Sequence, residues 1–487
     1  MTKPSENLQR DFRRAREVRP TAITGKERPH DLLANAFPAY VGRQERTAYE
    51  LMRRSAEENA AIFLTLSGAM TPAGLHQSCL IPLIERGLVD CITTTGANLY
   101  HDAHRIIGHS IREIDPNAGD VLLRLSRIIR IYDLGFSEKT LLETDRLFSA
   151  ILQKPEFQRR MTTPELHYLL GREMFLLERA LKVERPSLLS TAYRCGVPIF
   201  VGAVQDGSIF LNIVKLKRLL GESFKLEIDV NEDVFAMGAV QYHCFGTLKR
   251  SMAIWILGGG VPKNYTLQGE PLLDQILGVP TQGFDIDVQF CVDPVDNGAL
   301  SSCPAGEGHT WGKVSAESAE RGSVYVHADV TAVFPWLTHA LLSDPALKRP
   351  HARLIDHFGA SVNELQRQVD KRRASLSATL RFPLGEAAAE GGERASKAGR
   401  AGKAETGERA SKAGRAGKAE GGERASKAGR AGKAETGERA SKAGRAGKGA
   451  SATKSARAAK GVRASIAPRA DEKATKRPKR PGARAGR

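Results

Sequence analysis

The chain has 487 residues with 73 Lys+Arg against 55 Asp+Glu, a formal net charge of +18 that taken whole points to a nucleic-acid or membrane partner. Placing the charge changes that reading, because Gly391 to Arg487 holds 28 basic and 9 acidic residues, a net +19, and leaves the remainder near neutral at −1. No apolar run reaches the ~18 to 20 residues of a membrane span, and the opening MTKPSENLQRDFRRAREVRP has no signal-like apolar stretch, so a cytosolic protein without a membrane partner is expected.

Residues 1–55 read as helical and polar. Short apolar runs then alternate with helix-like segments, the pattern of a parallel sheet with crossover helices. The candidate strands are AIFLTLSG (Ala61 to Gly68), LVDCITTTG (Leu88 to Gly96), VPIFVGAV (Val197 to Val204), LEIDV (Leu226 to Val230), MAIWILGGG (Met252 to Gly260), FDIDVQFCVD (Phe284 to Asp293) and VYVHADV (Val324 to Val330). Most are too apolar for a sheet with one wet face, which predicts an α/β fold with a doubly wound parallel sheet. The Leu- and Glu-rich stretch from Pro155 to Arg185 reads as a helical insertion. The six cysteines show no CxxC pairing, and neither a disulfide nor a metal role is expected of them.

The last stretch is of another kind. A repeat, ERASKAGRAGKAE(T/G)G, starts at Glu393 and returns at Glu408, Glu423 and Glu438, followed by SATKSARAAKGVRAS and KRPKRPGARAGR. It has no aromatic residue, no hydrophobic face and too little apolar surface to offset the entropy of ordering, so it reads as disordered. The chain thus divides into a helical segment (1–55), one α/β domain (56–385) and a basic repeat tail (386–487). The tail is suited to nonspecific polyanion binding, with a solubilising extension as the alternative.

In open parallel sheets ligands bind outside the carboxyl ends of the strands. Those ends are polar and glycine-rich here: Ser67-Gly68, Thr94-Thr95-Gly96, Asp206-Gly207, Gly258-Gly259-Gly260 and Ala328-Asp329. Small residues admit a phosphate or a ring, and an Asp can hold ribose hydroxyls, so together they predict a nucleotide cleft although no GxGxxG is present. The second feature is Glu307-Gly308-His309-Thr310-Trp311-Gly312-Lys313. A lysine near apolar and aromatic groups can lose its proton and attack an imine carbon as the free amine, and a tryptophan face can receive a substrate ammonium.

Taken in order, TLSGAMTPAGL, VDCITTTGANLYHD, the QDGS turn, ILGGGVPKN, EGHTWGKVS and VYVHADVTAVFPWL resemble the deoxyhypusine synthase family across roughly Asn35 to Leu342, and TGANLYHD with GGGVPKN resemble its bacterial deoxyhypusine synthase-like branch. The resemblance implies a Rossmann-like NAD-binding fold, a homotetramer, and transfer of a 4-aminobutyl group from spermidine through an enzyme-lysine imine to an acceptor amine, a protein lysine in hypusine formation. It places the nucleophile on Lys313, donor contacts on Trp311 and Glu307, with His101 expected beside them as a substrate contact in place of a lost carboxylate, and NAD contacts on Ser67, Gly68, Thr94, Thr95, Gly96, Asp206, Gly207, Ala328 and Asp329. Asn264-Tyr265 stands where the family's eukaryotic members carry a histidine pair, and Leu211 and Leu300 replace acidic donor-binding positions, with His101, Asp102, Asp293 and Asp296 as possible substitutes. A homospermidine synthase with a free diamine acceptor, and a non-catalytic NAD-binding protein with a nucleic-acid-binding tail, are the alternatives.

Overall fold

Six of the seven apolar runs build one sheet. In this computed structural model, which describes residues 4–380, the strands β1 (Ala61–Leu66), β2 (Cys91–Thr94), β3 (Ile199–Val201), β4 (Met252–Leu257), β5 (Ile286–Phe290) and β6 (Ser323–Val326) are all parallel. They lie in the order β3-β2-β1-β4-β5-β6, so the chain begins at the centre and winds outward twice, reversing direction between β1 and β4. The expected disordered tail lies outside the described residues.

Side chains alternate across a strand, and both faces of this sheet are dry. Ile62, Leu64 and Leu66 of β1 join Trp255 of β4 and Val288 of β5 in one cluster, with Met52 from helix α1 (Tyr40–Glu57). Phe63, Ile254 and Ile256 point the other way, into a cluster with Met237 and Val240 of the helix Val230–Tyr242, where the Phe63 and Phe284 rings meet edge-on at 5.3 Å. Helix α1 buries Leu51, Met52 and Ala56, so the N-terminal segment is polar only in its first part, and the boundary expected at residue 55 falls inside this helix.

One expectation is corrected. The run LEIDV contributes only Glu227–Ile228, which pairs with Arg160–Met161 away from the main sheet, because Asp229 leaves the strand to cap the next helix, accepting from Asn231 N at 3.0 Å and Glu232 N at 3.1 Å. The stretch from Pro155 to Arg185 is largely helical, and its helix (Thr163–Leu181) lies along β3 at that edge of the sheet. His167 Nδ1 donates to Ile199 O at 2.8 Å, and Val201 N donates to Thr163 Oγ at 3.2 Å. A small antiparallel sheet of Arg112–Glu113, Leu134–Ser137 and Ile128–Ile131 has no counterpart among the expected strands, since each of its strands is only two to four residues long. Among the described residues no helix is long and apolar enough to cross a membrane.

The amino ends of the central strands are tied by one carboxylate. Buried Asp90 Oδ2 accepts from Ile62 N at 2.9 Å, from Arg250 at 2.9 Å and from Arg349 at 3.0 Å. Removing it strands two guanidinium groups, one of them buried, so Asp90→Ala is expected to lower unfolding free energy by about 3–5 kcal/mol in urea titration. A loss under about 1 kcal/mol would show that the arginines find other partners.

Candidate active site

The reversal between β1 and β4 leaves a crevice above their carboxyl ends. There the structure forms a cavity of about 390 Å³ lined by Ser67, Thr94, Thr95, Gly96, Asp206 and Gly258, among others. The walls come together at glycines. Gly258 has φ +89°, and a Cβ there would stand 2.9 Å from Ser67 Cβ; one on Gly96 would stand 2.7 Å from Gly207 Cα. These contacts hold β1 against β4 and the start of helix α2 (Gly96–Asp102) against the turn after β3. Ser67 Oγ also accepts from Gly259 N at 3.2 Å.

Most residues expected to hold a nucleotide are therefore together. Ser67, Thr94, Thr95, Gly96 and Asp206 line the crevice, Gly68 O accepts from Thr95 Oγ at 3.3 Å, and Gly207 supports Gly96. Ala328 and Asp329 do not line it. They follow β6, two strands from β4, where Asp329 caps the helix Val330–Leu342 by accepting from Thr331 N at 2.8 Å. Cys291, Asp293 and Ser301 complete the lining from the β5 side; of these, the sequence reading had named only Asp293, and not for this role.

Lys313 lies on a neighbouring loop that the backbone holds tightly. Gly312 takes φ +69°, Lys313 N donates to Gly308 O at 3.0 Å, and Phe284 N donates to Lys313 O at 3.1 Å. The Lys313 Nζ donates to Asn264 Oδ1 at 2.8 Å and sits 5.8 Å from the ring centroid of half-exposed Trp311. Asn264 belongs to the helix Gly260–Leu267, whose first residues line the crevice, so about one turn of helix, ~6 Å, links the two features.

Burial pushes the Lys313 ammonium below its ordinary range, and the nearby charge of Lys263 pushes the same way, while Cys303 and Glu307 oppose it. Lys263 was missed in the sequence although GGGVPKN contains it. It is buried, donates to Gln289 Oε1 at 2.7 Å and to Cys303 O at 2.6 Å, and is itself shifted down by burial. Glu307 is exposed on the short helix Ala305–Thr310 beside this loop.

His101 lies elsewhere on α2. It lines a second cavity, of about 500 Å³, together with Leu211, one of the apolar replacements. That cavity also holds a carboxylate, Asp145, to which no sequence motif pointed. Asp102 is not available as a substitute: it is buried and accepts from Leu188 N at 3.0 Å and Leu189 N at 3.1 Å, with its carboxyl pushed up to about 7 by burial.

Comparison with known proteins decides the family, since the deoxyhypusine synthase profile matches residues 33–341. The chain belongs to the deoxyhypusine synthase family. It is 38% identical over 352 residues, 72% of this chain and 89% of the relative, to a "Deoxyhypusine synthase-like protein" of Nostoc punctiforme. A protein of the same name from another Nostoc strain is 39% identical, with 67% of this chain and 84% of the relative covered. A "Probable deoxyhypusine synthase 2" of Methanosarcina acetivorans is 33% identical over 58% of this chain and 77% of its own length. The cyanobacterial relatives place the chain with the bacterial deoxyhypusine synthase-like branch.

Proposed function

We propose that the protein is an NAD-dependent transferase that moves a 4-aminobutyl group from spermidine or a related polyamine to an acceptor amine such as a protein lysine, with Lys313 as covalent relay. The observation that carries this reading is the Lys313 side chain: depressed by burial, oriented by Asn264 at 2.8 Å and flanked by an open tryptophan face. The crevice fits the cofactor, because the glycine approaches leave room for a ligand where side chains would fill it, and Thr94, Thr95, Gly96 and Asp206 would hold NAD there. Bound NAD supplies the hydride chemistry, oxidation of the donor amine and reduction of the product imine.

The protein's own groups do the rest. Asn264 takes one N–H of Lys313 and leaves the amine's lone pair for the donor's imine carbon. The donor's C–N bond to its leaving diamine breaks as the bond to Lys313 Nζ forms, and the acceptor amine later displaces Lys313 in the same way. Trp311 offers its face to the remote ammonium of the aminobutyl chain. Borohydride reduction with donor and NAD should add an aminobutyl mass at Lys313; its absence from that peptide would refute the relay.

Gly258→Ala should weaken NAD binding about tenfold or more by calorimetry, since the new methyl meets Ser67 and the backbone sits at φ +89°. Unchanged affinity would move the cofactor out of this crevice. We also propose assembly as a homotetramer, supported by the family and by exposed Leu211, Trp311 and Trp336 on the single chain, and nonspecific nucleic-acid binding by the tail, supported by the confinement of the basic excess to Gly391 to Arg487.

A further inference from the structure

An aminobutyl transferase needs an acceptor amine, and this chain carries a set of candidates in its own tail. Each copy of the repeat that starts at Glu393, Glu408, Glu423 and Glu438 holds two lysines, Lys397 and Lys403 in the first. Every one of them has only Ser, Gly or Ala on either side, as in Ser396-Lys397-Ala398 and Gly402-Lys403-Ala404, whereas no lysine before residue 381 has such small neighbours on both sides. The difference bears on access. A protein lysine that takes a group from half-buried Lys313 must bring its backbone within one side-chain length of that amine, past the Trp311 ring and the bond to Asn264. Bulky neighbours would meet the loop first, while hydrogen, methyl and hydroxymethyl groups let the backbone approach.

Charge favours the same segment. Between Cys291 and Lys313 the chain carries Asp293, Asp296 and Glu307 and no other Lys or Arg. Asp296 and Glu307 are exposed, and Asp293 lines the crevice. Each repeat copy brings two arginines along with its lysines, Arg394 and Arg400 in the first, so basic groups approach an acidic stretch and encounter is steered. Chain length permits the approach as well. Lys412 stands 32 residues beyond Leu380, the last described residue, and that many residues can reach at most ~105–115 Å, more than the ~50–60 Å across a compact domain of about 380 residues.

We propose that the repeat lysines of this chain are the acceptor amines, so that the protein aminobutylates its own tail. This rests on the transfer reading above and names its acceptor. The tail Nζ, as the free amine, bonds to the imine carbon held on Lys313; the bond from that carbon to Lys313 Nζ breaks, and Lys313 takes the proton that the incoming amine gives up. The new imine then receives the hydride removed from the donor, with one proton from water, and becomes a secondary amine. The hydride lent in the first step is returned in the last, so no outside oxidant or reductant is consumed. Each modified lysine ends with two basic nitrogens in place of one, which raises the positive charge of the tail.

The test uses the full-length protein with spermidine and NAD, read by mass spectrometry after cleavage at glutamate, which releases the repeats as separate peptides. Repeat peptides should gain aminobutyl increments at least about tenfold more often per lysine than peptides holding the exposed Lys182, Lys225 or Lys348, because a tethered segment that can reach the site meets it at an effective concentration of about millimolar and a residue fixed on the domain does not. Replacing the repeat lysines by arginine, Lys397→Arg and Lys403→Arg with their equivalents in the other copies, keeps the charge and removes the acceptors. In that variant the increments should vanish while borohydride still traps the donor on Lys313.

Three results would overturn the proposal and leave the relay standing: an adduct trapped at Lys313 with no increment in the repeats, increments spread evenly over the surface lysines of the domain as from an aldehyde released into solution, or protein labelling undiminished in the arginine variant. An adduct missing from Lys313 would remove the relay itself and the tail's part with it. The peptide map separates these failures, because the Lys313 peptide and the repeat peptides are read in the same digest.

Discussion

Lys313→Ala is expected to reduce transfer by at least about three orders of magnitude, about 4 kcal/mol in the barrier, while NAD affinity stays within about twofold. The asymmetry follows from geometry. The lysine makes its bond to Asn264 one helical turn from the crevice and does not line it, so its loss removes the nucleophile and spares the nucleotide site. Product mass spectrometry and calorimetry on the same preparation read both quantities, and transfer at the wild-type rate would end the covalent mechanism.

The pH dependence has a definite sign. Burial and the neighbouring charge of Lys263 both lower the Lys313 ammonium, so the reactive free amine is more abundant near neutral pH than for an ordinary lysine. Lys263→Met removes the neighbouring positive charge. The Lys313 ammonium is then easier to keep, and the rising limb of the rate profile should move to higher pH. A shift to lower pH, or none, would mean that the two ammonium groups do not repel each other in the working enzyme.

Deleting Gly391 to Arg487 should abolish retention on nucleic acid, because those residues carry a net +19 and the rest of the chain is at −1. With no aromatic residue the tail cannot stack on bases, so released counterions must supply the free energy. If about six to ten phosphates are contacted, affinity of the full chain should fall by about three to five decades between about 50 and 200 mM salt, with little dependence on sequence. Binding kept by the truncated chain, or insensitive to salt, would place the nucleic-acid surface on the α/β domain.

The sheet could be read from the chain because its strands are buried on both faces, and runs such as AIFLTL and MAIWIL have no other soluble use at that length. Their polar ends marked the crevice for the same reason, since binding at the carboxyl ends of strands is a property of the topology and needs only the strands to be located. LEIDV was misplaced because composition does not say that Asp229 will cap a helix instead of closing a strand. Asp329 is assigned to the nucleotide by its strand-end position and by the family resemblance; strand order, which is set by long-range pairing, puts it two strands from the reversal, outside the lining of the crevice.

The reactive lysine was visible in the sequence through its motif, but its environment was not. Asn264 bonds it from a helix, and Lys263 of the same helix is held in turn by Gln289 of a strand that meets that helix only in the folded sheet. The same holds for Asp145, which joins His101 in the second cavity from some forty positions further along the chain. Periodicity and composition determined the layers, the location of the crevice and the segregation of charge, because each depends on residues near one another in the chain. Depressed lysines and the carboxylate that stands near Leu211 depend on burial and on which side chains face each other across elements, and those were decided only by tertiary packing.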